Sequence, residues 1–170
     1  TSNLSNMHPE YQTLFGEYEG FVSRVYELLR KQDKFIQLGA LRTIETLSHK
    51  HKDNQTLFGN CNGLVSRVYD LLCNQDKVIH TRALLLILNL VRNHTQNQSL
   101  FGKCNGIISQ VSDIFCSKEK KVQIWAAHLI ISLCYKNPES HSRYDGILHG
   151  IIKHLRILLG DQDNKIVGFA

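Results

Sequence analysis

The string QTLFG at Gln12–Gly16 returns unchanged at Gln55–Gly59 and returns once more, as QSLFG, at Gln98–Gly102. Each step is 43 residues. Gly20, Gly63 and Gly106 keep the same step, and Gly150 follows after 44. So do the apolar sets Val25, Val68, Val111 and Leu28, Leu71, Ile114, and the alanines Ala40, Ala83, Ala126 and Ala170, with one inserted residue near Pro138. Several registers agreeing over three periods exclude coincidence, and a period of this length is the mark of stacked supersecondary units. The units are residues 12–54, 55–97 and 98–141, with a truncated unit at 142–170. Residues 1–11 read as the tail of a preceding unit, because Asn3-Leu4 fall two periods before Asn89-Leu90. Both ends lie inside a unit. The expectation is one continuous array that belongs to a longer protein, since the end units of an array carry polar caps.

The second unit shows what each repeat builds. Residues from Asp53 to about Cys61 predict a short first helix. Asn62-Gly63 is a turn signal, because both residue types tolerate positive φ. Leu64, Val65, Val68, Leu71 and Leu72 follow at the spacing of an amphipathic helix. Asp76 can cap a third helix that runs to about Asn93. Its buried-type positions are Ile79, Ala83, Leu84, Ile87, Leu88 and Val91. A unit of one short and two long helices leaves an apolar face open, so it must stack on its neighbours.

Composition agrees with a packed array. Of 170 residues, 42% are hydrophobic and 21% charged, which is ordinary globular usage. Two prolines, Pro9 and Pro138, leave nearly the whole chain open to helix. No apolar run reaches the roughly 18 residues of a membrane span. The first residues carry neither the basic nor the apolar stretch of a signal peptide. The net charge of +5 is spread along the chain and gives no reason to expect a nucleic-acid partner.

The segment GLVSRVYDLLCNQDKVIHTRALLLILNLV, Gly63–Val91, resembles the armadillo consensus. The likeness runs from the turn glycine Gly63, through the paired leucines and the Asp76 loop, to Ala83 and the Asn89-Leu90 pair. It extends over the chain unit by unit. HEAT repeats are the nearest alternative, and the glycine turn before the second helix favours armadillo. The resemblance implies an all-α fold, a right-handed α-solenoid whose third helices line a concave groove that holds extended peptides. It implies a non-catalytic scaffold or adaptor for proteins, without cofactor or metal, placed in the cytoplasm and open to cytoskeletal or nuclear association. A structural part of a cytoskeletal or ciliary assembly is the alternative.

Helical geometry selects the groove-facing side chains. Removing the apolar face of the third helix in unit two leaves Arg82, Leu85, Asn89 and Arg92, at steps of three and four. One period earlier stand Gly39, Arg42, Thr46 and His49; one period later stand Trp125, His128, Ser132 and Tyr135. Asn3 and Asn6 belong to the same stripe in the preceding unit. Asn can donate to and accept from a peptide backbone, Arg can clamp carboxylates, and Trp and Tyr can act as anchors. Nuclear import adaptors of the importin-α type carry Trp four residues before each Asn of this helix. Here those places hold Arg42, Leu85 and His128, and the Asn place holds Thr46, Asn89 and Ser132. A nuclear transport role is therefore disfavoured. The basic stripe suits an acidic or amphipathic protein segment, as a β-catenin-like groove would.

Catalytic and metal signatures are not found. The sequence holds no GxSxG, no P-loop and no GxGxxG after a strand. GNCNG at Gly59–Gly63 recurs as GEYEG and GKCNG, which makes it a repeated turn and not a phosphate cradle. Cys61/Cys104 and Cys73/Cys116 are one period apart, about 10 Å in stacked helices, beyond the roughly 7 Å that a disulfide spans; with Cys134 they read as free thiols. His49 and His51 do not share a helix face, and His80, His94, His128, His141, His149 and His154 are scattered over different elements, so no metal site is expected. The sequons at Asn3, Asn54, Asn93 and Asn97 read as silent, and Lys118–Lys121 as a solvated loop.

Overall fold

The computed structural model describes residues 8–134, 145–147, 149–154 and 156, and every regular element among them is helical. Three triplets follow one another along the chain. The first is α1 (Pro9–Glu17), α2 (Phe21–Leu29) and α3 (Lys34–Ser48); the second is α4 (Lys52–Gly59), α5 (Leu64–Leu72) and α6 (Lys77–Val91); the third is α7 (Thr95–Gly102), α8 (Ile107–Phe115) and α9 (Lys120–Cys134). Each first helix begins three residues upstream of its QTLFG or QSLFG motif. Residues 145–147 and 149–154 are also helical.

Two rows of helices run through the stack. The first helices pack α1 on α4 and α4 on α7, and the third helices pack α3 on α6 and α6 on α9. Each second helix packs mainly on the third helix of its own triplet. The left-handed turns that admit the second helices sit on Gly20, Gly63 and Gly106, at φ 75°, 81° and 87°, a region costly for any residue with a Cβ. Gly63 and Gly106 have a second reason to lack a side chain. The hydroxyls of Tyr26 and Tyr69, one triplet earlier, lie 2.5 and 2.6 Å from where a Cβ would stand.

Local caps set the third helices. The Asp33 carboxylate accepts from Ile36 N–H, and Asp76 from Val78 and Ile79 N–H. Asp76 also takes Lys34 Nζ at 2.6 Å, joining the amino ends of α3 and α6. The Lys34 ammonium first, and these backbone donors after it, hold the Asp76 carboxyl below the usual carboxylate range. Its contribution is therefore present at neutral pH and lost as pH falls through that lowered value.

Burial comes from the neighbouring triplet as much as from the helix's own. Phe58 and Phe101 are 1% and 0% exposed, whereas Phe15, at the same register with no described unit before it, is 39% exposed. α6, held between α3 and α9, buries Leu86 and Leu90 in addition to the six positions its periodicity marks.

The ends of the helices are tied across each junction by one recurring set of polar side chains. Asn54 Nδ2 donates to Gln12 O at 2.8 Å and Leu47 O at 2.9 Å; Asn97 Nδ2 donates to Gln55 O and Leu90 O, both at 2.9 Å. Gln12 Nε2 donates to Thr46 O and His49 O, and Gln55 Nε2 to Asn89 O and Arg92 O. These carbonyls lie at or just past the carboxyl ends of α3 and α6, where helix geometry leaves them without partners. In the third triplet Gln98 Nε2 turns instead to Val91 O, and Gln98 Oε1 is buried without a partner among the described residues. At the other helix end, His51 Nδ1 accepts from Asn54 N–H and His94 Nδ1 from Asn97 N–H.

This set explains the motif. Gln12 and Gln55 tie the end of their own triplet's third helix and Gln98 that of the preceding one, Thr meets the next imidazole, Phe fills the core, and Gly admits the next Asn. A Cβ on Gly16 would stand 2.1 Å from Asn54 Oδ1, and one on Gly59 2.0 Å from Asn97 Oδ1. Asn97 Oδ1 is buried without a hydrogen-bond donor among the described residues and faces the position a Gly59 side chain would take.

Two glycine substitutions of opposite sign follow. Gly59→Ala lowers stability by about 1–3 kcal/mol, the range for forcing extra volume into a packed site. Gly39→Ala, with nothing within 4 Å of its Cβ position, raises stability by about 0.5–1 kcal/mol through reduced helix entropy. Urea midpoints at unchanged slope measure both, and a stabilised Gly59→Ala would contradict the junction packing.

Candidate functional site

The third helices present the stripe as a row of half-buried and exposed side chains. Arg42, Arg92 and His128 are exposed; Thr46, His49, Arg82, Leu85, Asn89, Trp125 and Ser132 are half-buried. Asn3, Asn6 and Tyr135 lie outside the described residues. Because α3, α6 and α9 pack in sequence, the stripe crosses three neighbouring helices.

Its members are not equally available to a ligand. Asn89 Nδ2 donates to Glu45 O at 2.8 Å and Ser48 Oγ at 3.1 Å, so both amide hydrogens serve the α3–α6 contact. Arg82 Nη1 stands 3.4 Å from Glu45 Oε2, an ion pair across the same contact, about one third exposed on each side. At that exposure it contributes at most a few tenths to about 1 kcal/mol. Among the described residues, Arg42, Arg92 and His128 have no side-chain hydrogen-bond partner.

The face changes character along the stack. Glu45 and Arg82 form its charged pair between α3 and α6. One period on, the same registers hold Leu88 and Trp125. Leu88 is 8% exposed and the Trp125 indole packs against the core. Ile131, at the register of Glu45 and Leu88, is exposed. The row thus carries exposed guanidinium groups at Arg42 on α3 and Arg92 just after α6, and partly exposed apolar groups at Leu85 on α6 and at Trp125 and Ile131 on α9. Sequence reasoning missed Glu45 and Ile131 because in the second unit their register, Leu88, belongs to the apolar face. The charged residue at Glu45, three residues after Arg42 on one helix, was the available signal.

The histidines need a correction. His51 and His94 are not scattered: with His8 they keep the 43-residue step and stand immediately before the first helices. The two sequons at Asn54 and Asn97 fall on the buried junction amides, which have no room for a glycan. Asn93 sits at φ 53° at the end of the α6 region.

The five cysteines are free. Cys73 and Cys116 are exposed, and Cys61 and Cys104 half-buried. Burial pushes the Cys61 and Cys104 thiols up, and that of Cys134 up to about 11. Among the described residues no group of three or more His, Cys, Asp or Glu side chains could hold a metal ion, and no helix is long and apolar enough to cross a membrane. No protein-family model, curated protein or solved structure matches the chain.

Asn89→Ala removes two hydrogen bonds and lowers stability by about 1–3 kcal/mol at roughly 0.5–1.5 kcal/mol per bond, while Arg92→Ala stays within about 0.5 kcal/mol of the parent; chemical denaturation compares them. Thiol alkylation followed by mass spectrometry orders the cysteines. Cys73 and Cys116 react first at pH 8, and Cys134 reacts only when the protein is unfolded, because thiolate is the reactive form.

Proposed function

We propose that the chain is a segment of a right-handed α-solenoid of armadillo-type repeats, and that it is a non-catalytic scaffold holding another protein's segment along α3, α6 and α9. The observation that carries the reading is the uninterrupted row of third helices whose outward face keeps Arg42, Arg92 and His128 out of the internal hydrogen-bond network. The glycine turn before each second helix and the 43-residue period support the armadillo plan over other helical repeats.

The ligand chemistry follows from the face. Exposed guanidinium groups attract carboxylates, and Leu85, Trp125 and Ile131 offer apolar contact on the same row. The favoured occupant is an acidic, amphipathic protein segment, extended or helical. Nothing in this chemistry calls for a metal, a cofactor or nucleic acid. A cytoplasmic setting, with cytoskeletal or nuclear association, fits a scaffold rich in free thiols.

The test uses exposed residues that the stack does not need. A labelled acidic amphipathic peptide of about 20 residues, about 30 Å as a helix, is titrated by fluorescence anisotropy against the parent chain and against Arg42→Glu with Arg92→Glu. Two charge reversals weaken binding by about tenfold, about 1.4 kcal/mol, with the helical signal unchanged. Equal affinities for the two proteins, or equal binding of a basic peptide of the same apolar pattern, would overturn the groove assignment. Asn89 is unsuitable for this purpose because its substitution also loosens the α3–α6 contact.

A further inference from the structure

Both described junctions carry one imidazole in one arrangement. His51 Nδ1 accepts from the Asn54 backbone N–H at 3.3 Å, and His94 Nδ1 from the Asn97 backbone N–H at 3.2 Å. A backbone N–H can only donate, so each Nδ1 presents its lone pair. The neutral ring then carries its proton on Nε2. That nitrogen meets Thr13 Oγ1 at 3.0 Å for His51 and Thr56 Oγ1 at 2.9 Å for His94. Each threonine hydroxyl donates backward along its own helix, to Pro9 O and Lys52 O, which leaves its oxygen free to accept from the ring. The result is a relay from the earlier first helix, through the imidazole, to the amino end of the next first helix. It operates with the neutral Nε2–H tautomer alone.

Protonation breaks it at a defined atom. A proton on Nδ1 turns the cap's acceptor into a donor that faces another donor, and places a positive charge at a helix amino terminus, where the backbone already presents partial positive charge. His94 is 9% exposed, so solvent offers the broken cap little replacement. The ionisable side chains on the surrounding elements are His8 before α1, Glu10, Tyr11 and Glu17 on α1, Lys34, Arg42 and Glu45 on α3, His49 and Lys50 after it, Lys52 and Asp53 on α4, Lys77, His80 and Arg82 on α6, Arg92 after it, Lys103 after α7, and Lys120, Lys121, His128 and Cys134 on α9. Among the described residues no carboxylate is paired with either imidazole, so none compensates the added charge. His80 differs in kind. Its Nδ1 meets Leu72 O at 2.6 Å, where the ring donates, and a second proton leaves that bond intact.

We propose that His51 and His94 are proton-sensitive staples that hold successive triplets together only while neutral, so that mildly acid pH loosens the stack at the α1–α4 and α4–α7 junctions. The device reaches the edge of the third-helix face. Gln55, one residue after the capped Asn54, ties Asn89 O and Arg92 O. The inference rests on the junction geometry and stands whether or not that face binds a partner.

The sign follows from linkage. Protonating Nδ1 costs the folded chain its cap and costs the unfolded chain nothing, so stability falls as pH is lowered below neutral. The Asp76 carboxyl, held below the usual carboxylate range, stays ionised between pH 7.5 and 5.5 and does not contribute. Thermal unfolding of the full chain is compared at pH 7.5 and 5.5 for the parent, for His51→Asn with His94→Asn, and for His80→Asn. Asparagine caps a helix without titrating. The parent loses about 4 °C or more in Tm over this interval, the double variant loses less than half as much, and His80→Asn behaves as the parent. An identical pH dependence in the double variant would overturn the proposal. Nitrogen-15 NMR of the parent's imidazoles needs no variant: at pH 7.5 His51 and His94 show the Nε2–H tautomer, and the opposite tautomer at both sites would also overturn it. Should the double variant fail to fold, amide exchange in the parent decides. The Asn54 and Asn97 amides lose protection at pH 5.5 relative to α5 and α8, after correction for intrinsic rates, and retained protection sinks the idea.

Discussion

The fold depends on satisfying helix ends inside a stack of helices. A short helix next to another leaves carbonyls at its carboxyl end and N–H groups at its amino end without intrahelical partners, and burying them unpaired is costly. In this chain a buried carboxamide answers the problem at each described junction. Asn54 and Asn97 each join a carbonyl of the preceding first helix to one at the end of the preceding third helix. The glycines Gly16 and Gly59 exist because that carboxamide occupies the volume a side chain would fill. Apolar burial supplies most of the driving force. The polar set decides the distance and angle at which one triplet meets the next.

The same constraint shapes the outward face. Asn89 is drawn into the α3–α6 contact through Glu45 O and Ser48 Oγ, and Arg82 through the Glu45 carboxylate. What is left outward is a sparse set of guanidinium groups on α3 and α6 and apolar groups on α6 and α9. Under the proposed reading, such a face would select a partner segment by charge and shape and not by a single chemical group.

Much of the architecture was readable from the residues. The recurrence of Gln-Thr-Leu-Phe-Gly defined the units, Gly63 defined the turn, and Asp76 defined the start of α6, because each depends on local geometry that a few neighbouring residues specify. The stripe on the third helix was readable from a spacing of three and four. The polar junction was not. The partners that join one triplet's first helix to the next, or to its own third helix, lie 34 to 42 residues apart, and an Asn at position 54 reads as a helix-start or sequon residue until the carbonyls it meets are seen. The 43-residue recurrence of His8, His51 and His94 was visible, but nothing in a histidine's neighbours tells a cap from a solvated ring.

The residue order alone therefore determined the helical triplets, their period and their apolar faces, since these follow from spacing and backbone preference within about ten residues. Tertiary packing decided which side chains became structural. Leu86 and Leu90 are buried because α6 has a helix on either side, Asn89 turns inward because α3 offers a carbonyl and a hydroxyl, and His51 and His94 become links between triplets because a threonine of the preceding triplet stands within reach of Nε2. Each of those outcomes is set by a group at least 34 residues away in sequence, and only the three-dimensional arrangement supplies it.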